Sequence, residues 1–166
     1  MRLKTLLVCG MATLFLSACG PEKQKNENIP PITSRVMDTA NVLNAWQRSS
    51  LISNLTRLDK NSKIEAVFYT LKRLPENESL EEYTNKVFNT WKIGKKGTDT
   101  GLLVLNVIDE KKIRIEVGRG NEGNIPDMLA NRIIRDSMVK YLARGMYYEA
   151  YQAAIHDFEK LTKEGK

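Results

Sequence analysis

Gly101–Ile108 contains Leu102-Leu103-Val104-Leu105, an apolar run of strand length with no polar interruption, and it restricts the fold more than any other stretch. Such a run reads as a strand buried on both faces, which requires a layer of structure on each side of it. Asp109-Glu110-Lys111-Lys112 ends it, after which Ile113, Ile115 and Val117 alternate with Arg114 and Glu116. That alternation is a second strand with one apolar face, joined to the first as a hairpin. The hairpin leads into a glycine-rich loop, Gly118-Arg-Gly-Asn-Glu-Gly123, and then to Pro126-Asp127, which opens a helix. Glycines admit close backbone approach and carboxylates ligate cations, so the loops around Asp99 and Glu122 are the expected place for a site.

Before the hairpin, Ser34–Met37 reads as a short edge strand, and Asn44-Ala-Trp-Gln47 has the spacing of a capping box that starts a helix carrying Leu51, Leu55 and Leu58 on one face. Ile64–Thr70 is β-rich, and Ser79-Leu-Glu-Glu82 is a second capping box, heading a helix with Leu80, Val87, Phe88 and Trp91 inward and Gly94 as its stop. After the hairpin, one helix is expected from Asp127 to about Leu142, burying Leu129, Ile133, Met138 and Tyr141. A second is expected from about Met146, burying Tyr147, Tyr151, Ala154, Phe158 and Leu161, with Gly145 between them. The order β–α–β–α–β–β–α–α implies a Rossmann-like α/β fold: a three-layer α/β/α sandwich around a mixed four-stranded sheet with an antiparallel hairpin at one edge. Ligands in open α/β sheets sit beyond the carboxyl ends of the strands. The turn after Met37 and the loop after Val117 are both expected there, with the Lys95–Thr100 turn folded against them.

The chain has 166 residues, which fits one domain, and its first stretch is set apart from that domain. Arg2 and Lys4 precede a mostly apolar Leu6–Leu16, followed by Ser17-Ala18-Cys19-Gly20, which is the pattern of a secretory signal and too short for a confident membrane span. Leu16-Ser-Ala-Cys19 resembles the bacterial lipobox. The resemblance implies cleavage before Cys19, lipid on its thiol and an acyl group such as palmitate on its amine. Gly20 implies sorting to the outer membrane, facing the periplasm. The expected organisation is a lipoprotein signal peptide over residues 1–18, a polar, proline-bearing tether over 19–33 and the domain over 34–163.

Removal of Arg2 and Lys4 takes the net charge from +6 to +4, and no basic stripe with interleaved aromatics appears, so nucleic acid is not an expected partner. Cys9 leaves with the signal and Cys19 carries lipid, so a disulfide, a thiolate metal site and a cysteine nucleophile are all excluded. His156 is the single histidine and sits off the buried stripe of its helix. Gly118–Gly123 matches the letters of the dinucleotide fingerprint, but the helix after it leads to another helix. No βαβ unit closes, and a nucleotide cofactor is not expected. No phosphate-binding GxxxxGK, serine-hydrolase elbow or Asp-x-Asp pair is present.

The remaining chemistry is carboxylate. Asp38, Asp99, Glu122 and Asp127 each have an ordinary role in a turn, a helix cap or solvent. Taken together they are the set of loop oxygens that Ca²⁺ or another hard divalent cation favours.

With these residues in view, the chain resembles the TPM family. The matching pieces are Val36–Leu43, Phe88–Gly94, Thr98–Leu105, Arg114–Gly123 and Ile125–Asp127; two residues depart from them, Thr100 standing where the family often has asparagine and Asn121 where it usually has leucine or an aromatic residue. The resemblance implies an α/β/α sandwich outside the cytoplasm, often membrane-tethered, with a loop-borne Ca²⁺ site at which Asp38, Asp99, Glu122 and Asp127 are the carried-over candidates. Some members have been credited with acid phosphatase activity, for which Arg119, Lys95 and Lys96 are the available phosphate clamps. Many bacterial members carry a further membrane helix and glycine-rich tail, so the lipid is the only anchor expected here. The leading expectation is a cation-binding, protein-interaction module with an envelope or membrane protein as partner, serving membrane-protein maintenance. The alternative is a weak metal-assisted acid phosphatase.

Overall fold

The computed structural model describes residues 29–95 and 97–164. The signal peptide, Cys19, most of the tether and Lys96 lie outside the described residues. Four strands, β1 (Val36–Asp38), β2 (Glu65–Leu71), β3 (Gly101–Val107) and β4 (Lys112–Val117), form one sheet in the order β1-β2-β3-β4. β1, β2 and β3 are parallel, and β4 returns antiparallel to β3. The helices are α1 (Ala45–Ser62), α2 (Leu80–Trp91), α3 (Asp127–Arg132), α4 (Val139–Leu142) and α5 (Tyr147–Glu164). Among the described residues no helix is long and apolar enough to cross a membrane.

Both capping boxes form as the spacing dictates: Asn44 and Gln47 satisfy each other's backbone amides at α1, and Ser79 and Glu82 do so at α2. α2 ends three residues before Gly94, at Trp91, because Lys92 itself takes the left-handed conformation and closes the last turn.

The sheet has two covered faces. The row Val36, Phe68, Val104 and Ile115 points toward α1, α5 and the segment from α3 to α4, meeting the fully buried Leu51, Leu55, Leu58, Tyr151 and Phe158. The row Met37, Tyr69 and Leu105 points the other way, toward Tyr83, Val87 and Trp91 of α2. Each of those leucines contributes about 2 kcal/mol by leaving water. The result is an α/β/α sandwich with a mixed four-stranded sheet. β3 is buried along its whole length, as its unbroken apolar run requires.

Two features depart from simple expectation. α1 and α2 cover opposite faces although β1→β2 and β2→β3 step in the same direction, so the two crossovers have opposite hands and one is left-handed. Nearly all parallel crossovers are right-handed. Second, the helix expected as one piece from Asp127 to Leu142 is wound as a π-helix over Ile133–Met138, between α3 and α4. Hydrogen bonding five residues apart brings Ile133 and Met138 to the same side, and both are buried.

Candidate functional site

At the carboxyl ends of the parallel strands, Asp38, Thr70, Asn106 and Ile113 occupy one register row and therefore one face of the sheet. Asp38 closes β1, and its carboxylate turns back into the protein. One oxygen accepts from the Val42 amide at 3.2 Å, the other from the Leu43 amide at 2.9 Å, and Arg48 lies 3.7 Å away. The side chain is only 1% exposed. These bonds bend the chain out of β1 and aim it at the α1 capping box.

Across the row, the Tyr151 hydroxyl of α5 sits 2.6 Å from the Thr70 hydroxyl and receives the Asn106 amide at 2.9 Å. Burial pushes the Tyr151 hydroxyl up to about 12; the Thr70 and Asn106 bonds pull against that rise, and the charge of Asp38 adds to it. A cleft of about 470 Å³ opens beside this cluster, between Asn106 and the turn of the hairpin on one side and Val139, Leu142 and Tyr147 on the other. It lies where open α/β sheets bind ligands. On the opposite face, at the end of β2, Tyr69 and Tyr83 floor a second, wider hollow, and burial pushes the Tyr83 hydroxyl well above the ordinary tyrosine range.

The other end of the sheet holds the glycine loops. Gly120 N donates to the Asp99 carbonyl at 3.1 Å, and Gly118 N to the Gly101 carbonyl at 2.9 Å. A side chain on Gly118 or Gly120 would collide with the backbone of Asp99 or Thr98, so these glycines permit the two loops to pack together. Asp99 and Glu122 are exposed on this surface. Asn121, 3% exposed, is buried beneath it with its Nδ2 unpartnered. Asp59 bridges to Arg35 at 2.8 Å and Lys95 at 2.9 Å. Burial works to raise its carboxyl, and the two cations more than offset this, holding it below its ordinary value.

The four carboxylates expected to share a cation do not assemble. Asp38 is at the carboxyl end of the sheet; Asp99 and Glu122 are at the amino end, where β3 begins and the antiparallel β4 finishes. Asp127, in the first turn of α3, lines a hollow with Ser79, Glu81 and Arg114 alongside β4. Both oxygens of Asp38 are already engaged. Among the described residues no three His, Cys, Asp or Glu side chains form a metal-holding group. The set therefore does not fit one shared ion. Of the expected phosphate clamps, Lys95 is committed to Asp59, Arg119 is exposed on the loop surface and Lys96 lies outside the described residues. His156 is exposed.

Sequence reasoning missed Thr70, Asn106 and Tyr151 as a group. The signal was available: Thr70 and Asn106 are the polar interruptions late in two otherwise apolar strands. Their common partner, Tyr151, was legible only as part of a buried stripe.

The fold recurs in solved structures. The N-terminal domain of a P. gingivalis protein superposes with a TM-score of 0.74 at 28% identity, covering 83% of this chain and 90% of that one. The BA42 protein of the psychrophilic Bizionia argentinensis gives 0.66 at 15% identity over 74% of this chain and 83% of its own. The N-terminal domain of the cg2496 protein of Corynebacterium glutamicum gives 0.61 at 11% identity over 93% and 88%. At identities this low, the last two speak to the fold alone. No curated protein matches the chain. The family model for the TPM domain matches residues 36–161, nearly the whole folded unit, and the chain belongs to the TPM domain family.

Proposed function

We propose that this TPM domain is a membrane-tethered binding module. A lipid on Cys19 holds it at the outer membrane, facing the periplasm, and it engages an envelope or membrane protein through the cleft at the carboxyl ends of the strands, in the service of membrane-protein maintenance. One observation carries the reading: the cleft is open while the polar groups beside it are turned toward one another. Asp38 holds Val42, Leu43 and Arg48, and Thr70 and Asn106 hold Tyr151. A base or nucleophile must face its substrate, whereas groups so engaged shape and stiffen a recognition surface. A divalent cation enters this reading only at the amino end, through Asp99 and Glu122 on their two packed loops, away from the cleft.

The test is site-specific photo-crosslinking in the cell envelope from Val139, which is 46% exposed and lines the cleft. The proposal expects one dominant protein adduct and no p-nitrophenyl phosphate turnover by the purified chain. Metal-dependent turnover without an adduct would replace it with the phosphatase reading. Cys19→Ser is expected to abolish incorporation of labelled palmitate; unchanged labelling would refute the anchor.

A further inference from the structure

We propose, building on the binding-module reading, that the cleft takes an acidic peptide segment carrying apolar side chains. The segment would lie against an exposed aromatic shelf formed by Trp46 and Tyr148.

The shelf is a fixed feature. Trp46, in the first turn of α1, is 67% exposed, and its ring centroid is 5.4 Å from that of Tyr148 on α5. The Tyr148 hydroxyl is within 3.0 Å of the Ser50 hydroxyl and accepts from Gln152 at 2.7 Å, which sets the ring that supports Trp46. Tyr147, the residue before Tyr148, lines the cleft on the same side as exposed Val139. Leaving Val139 exposed in the hollow and Trp46 exposed on the shelf leaves apolar area in water that a partner's apolar side chains would cover.

The charge at this lip has one sign to spare. Asp109 is paired with Arg73, and Glu110 with Lys112. Among the described residues no carboxylate pairs with Lys111, which lines the cleft, or with Arg144, in the turn that supplies Ala143 and Gly145 to it. Uncompensated cations beside an apolar hollow favour a segment with carboxylates flanking its apolar side chains.

The hollow is recessed between the hairpin turn and the α4–α5 turn, a shape that admits a chain and not a flat bilayer. On the other face of the sheet the Pro30 carbonyl accepts from Trp91 Nε1 at 2.8 Å.

Trp46 is one of two tryptophans, and the other, Trp91, is buried, so emission reports on the shelf directly. The full chain in detergent micelles is titrated with a short synthetic peptide rich in glutamate and leucine and free of aromatic residues. A matched lysine–leucine peptide and phosphatidylglycerol vesicles serve as comparisons. The expected result is a saturable blue shift with the acidic peptide alone, abolished in Trp46→Phe and weakened about tenfold by Lys111→Asn with Arg144→Gln. An equal response to the cationic peptide or the vesicles, or wild-type affinity in the double variant, overturns the assignment. If Val139 captures a protein while the acidic peptide leaves Trp46 unchanged, the peptide chemistry is wrong and the binding module stands; if neither responds, both fall.

Discussion

Asp38 and Asp99 lie at opposite ends of the sheet. Asp38 ends β1 in register with Thr70 and Asn106, whereas Asp99 precedes Gly101, the first residue of β3. The stretch of β3 from Gly101 to Asn106 alone spans about 16 Å at the ordinary strand rise. One end carries a cleft beside an engaged polar row, and the other carries two loops packed through glycine.

Asp38→Ala removes the acceptor for two backbone amides and leaves both short of a partner at the start of α1. Urea unfolding should show a loss of about 2 kcal/mol. Because the carboxylate is engaged internally, Ca²⁺ should not change the difference between variant and parent. A difference that widens when Ca²⁺ is added would make Asp38 a ligand after all.

Asn121→Leu should stabilise the protein by roughly 1 kcal/mol. Asn121 is buried with an amide nitrogen that has no acceptor, and leucine removes that uncompensated donor with the same number of side-chain heavy atoms. The check is a rise in the denaturation midpoint at unchanged slope; a fall would mean the amide has a partner that matters.

Tyr151→Phe strands the Thr70 hydroxyl and the Asn106 amide in the interior and should cost about 1–3 kcal/mol at neutral pH. The pH dependence has a defined sign. The Tyr151 hydroxyl is raised from 10.0 to about 12, so its contribution is complete below pH 10 and is lost as pH rises toward 12, where the unfolded chain ionises first. Parent and variant stabilities should therefore converge across that window; parallel curves would contradict the assignment.

Asp59→Asn tests the ion cluster at the amino end. The folded carboxyl lies below its ordinary value of 3.8, so its stabilisation is present above that pH and is lost as pH falls through the lower, folded value. Parent should exceed variant by about 1 kcal/mol at neutral pH, since Arg35 and Lys95 are partly exposed, and the gap should close in acid. A gap that persists in acid would show that the Asp59 charge is not its source.

Much of the architecture was written locally. The pairs Asn44–Gln47 and Ser79–Glu82 announce helix starts, the Leu102–Leu105 run announces a strand covered on both sides, and Gly145 announces a break; each is a short-range property. The site was harder to read because periodicity says which face a residue takes and not which end of the sheet it reaches. Once β1 and β3 run parallel, a loop before β3 and a turn after β1 must lie at opposite ends, so Asp38 and Asp99 cannot meet. The hand of the crossovers and the π turn at Ile133–Met138 are likewise set by packing between distant elements.

The central claim is that recognition belongs to the carboxyl ends of the strands. Hydrogen exchange of the full chain, with and without the acidic peptide, tests it most directly. The account predicts added protection over Asn106–Lys112 and Leu142–Tyr148, with Thr98–Thr100 and Gly118–Gly123 unchanged. Protection confined to those two glycine-bearing loops would contradict it.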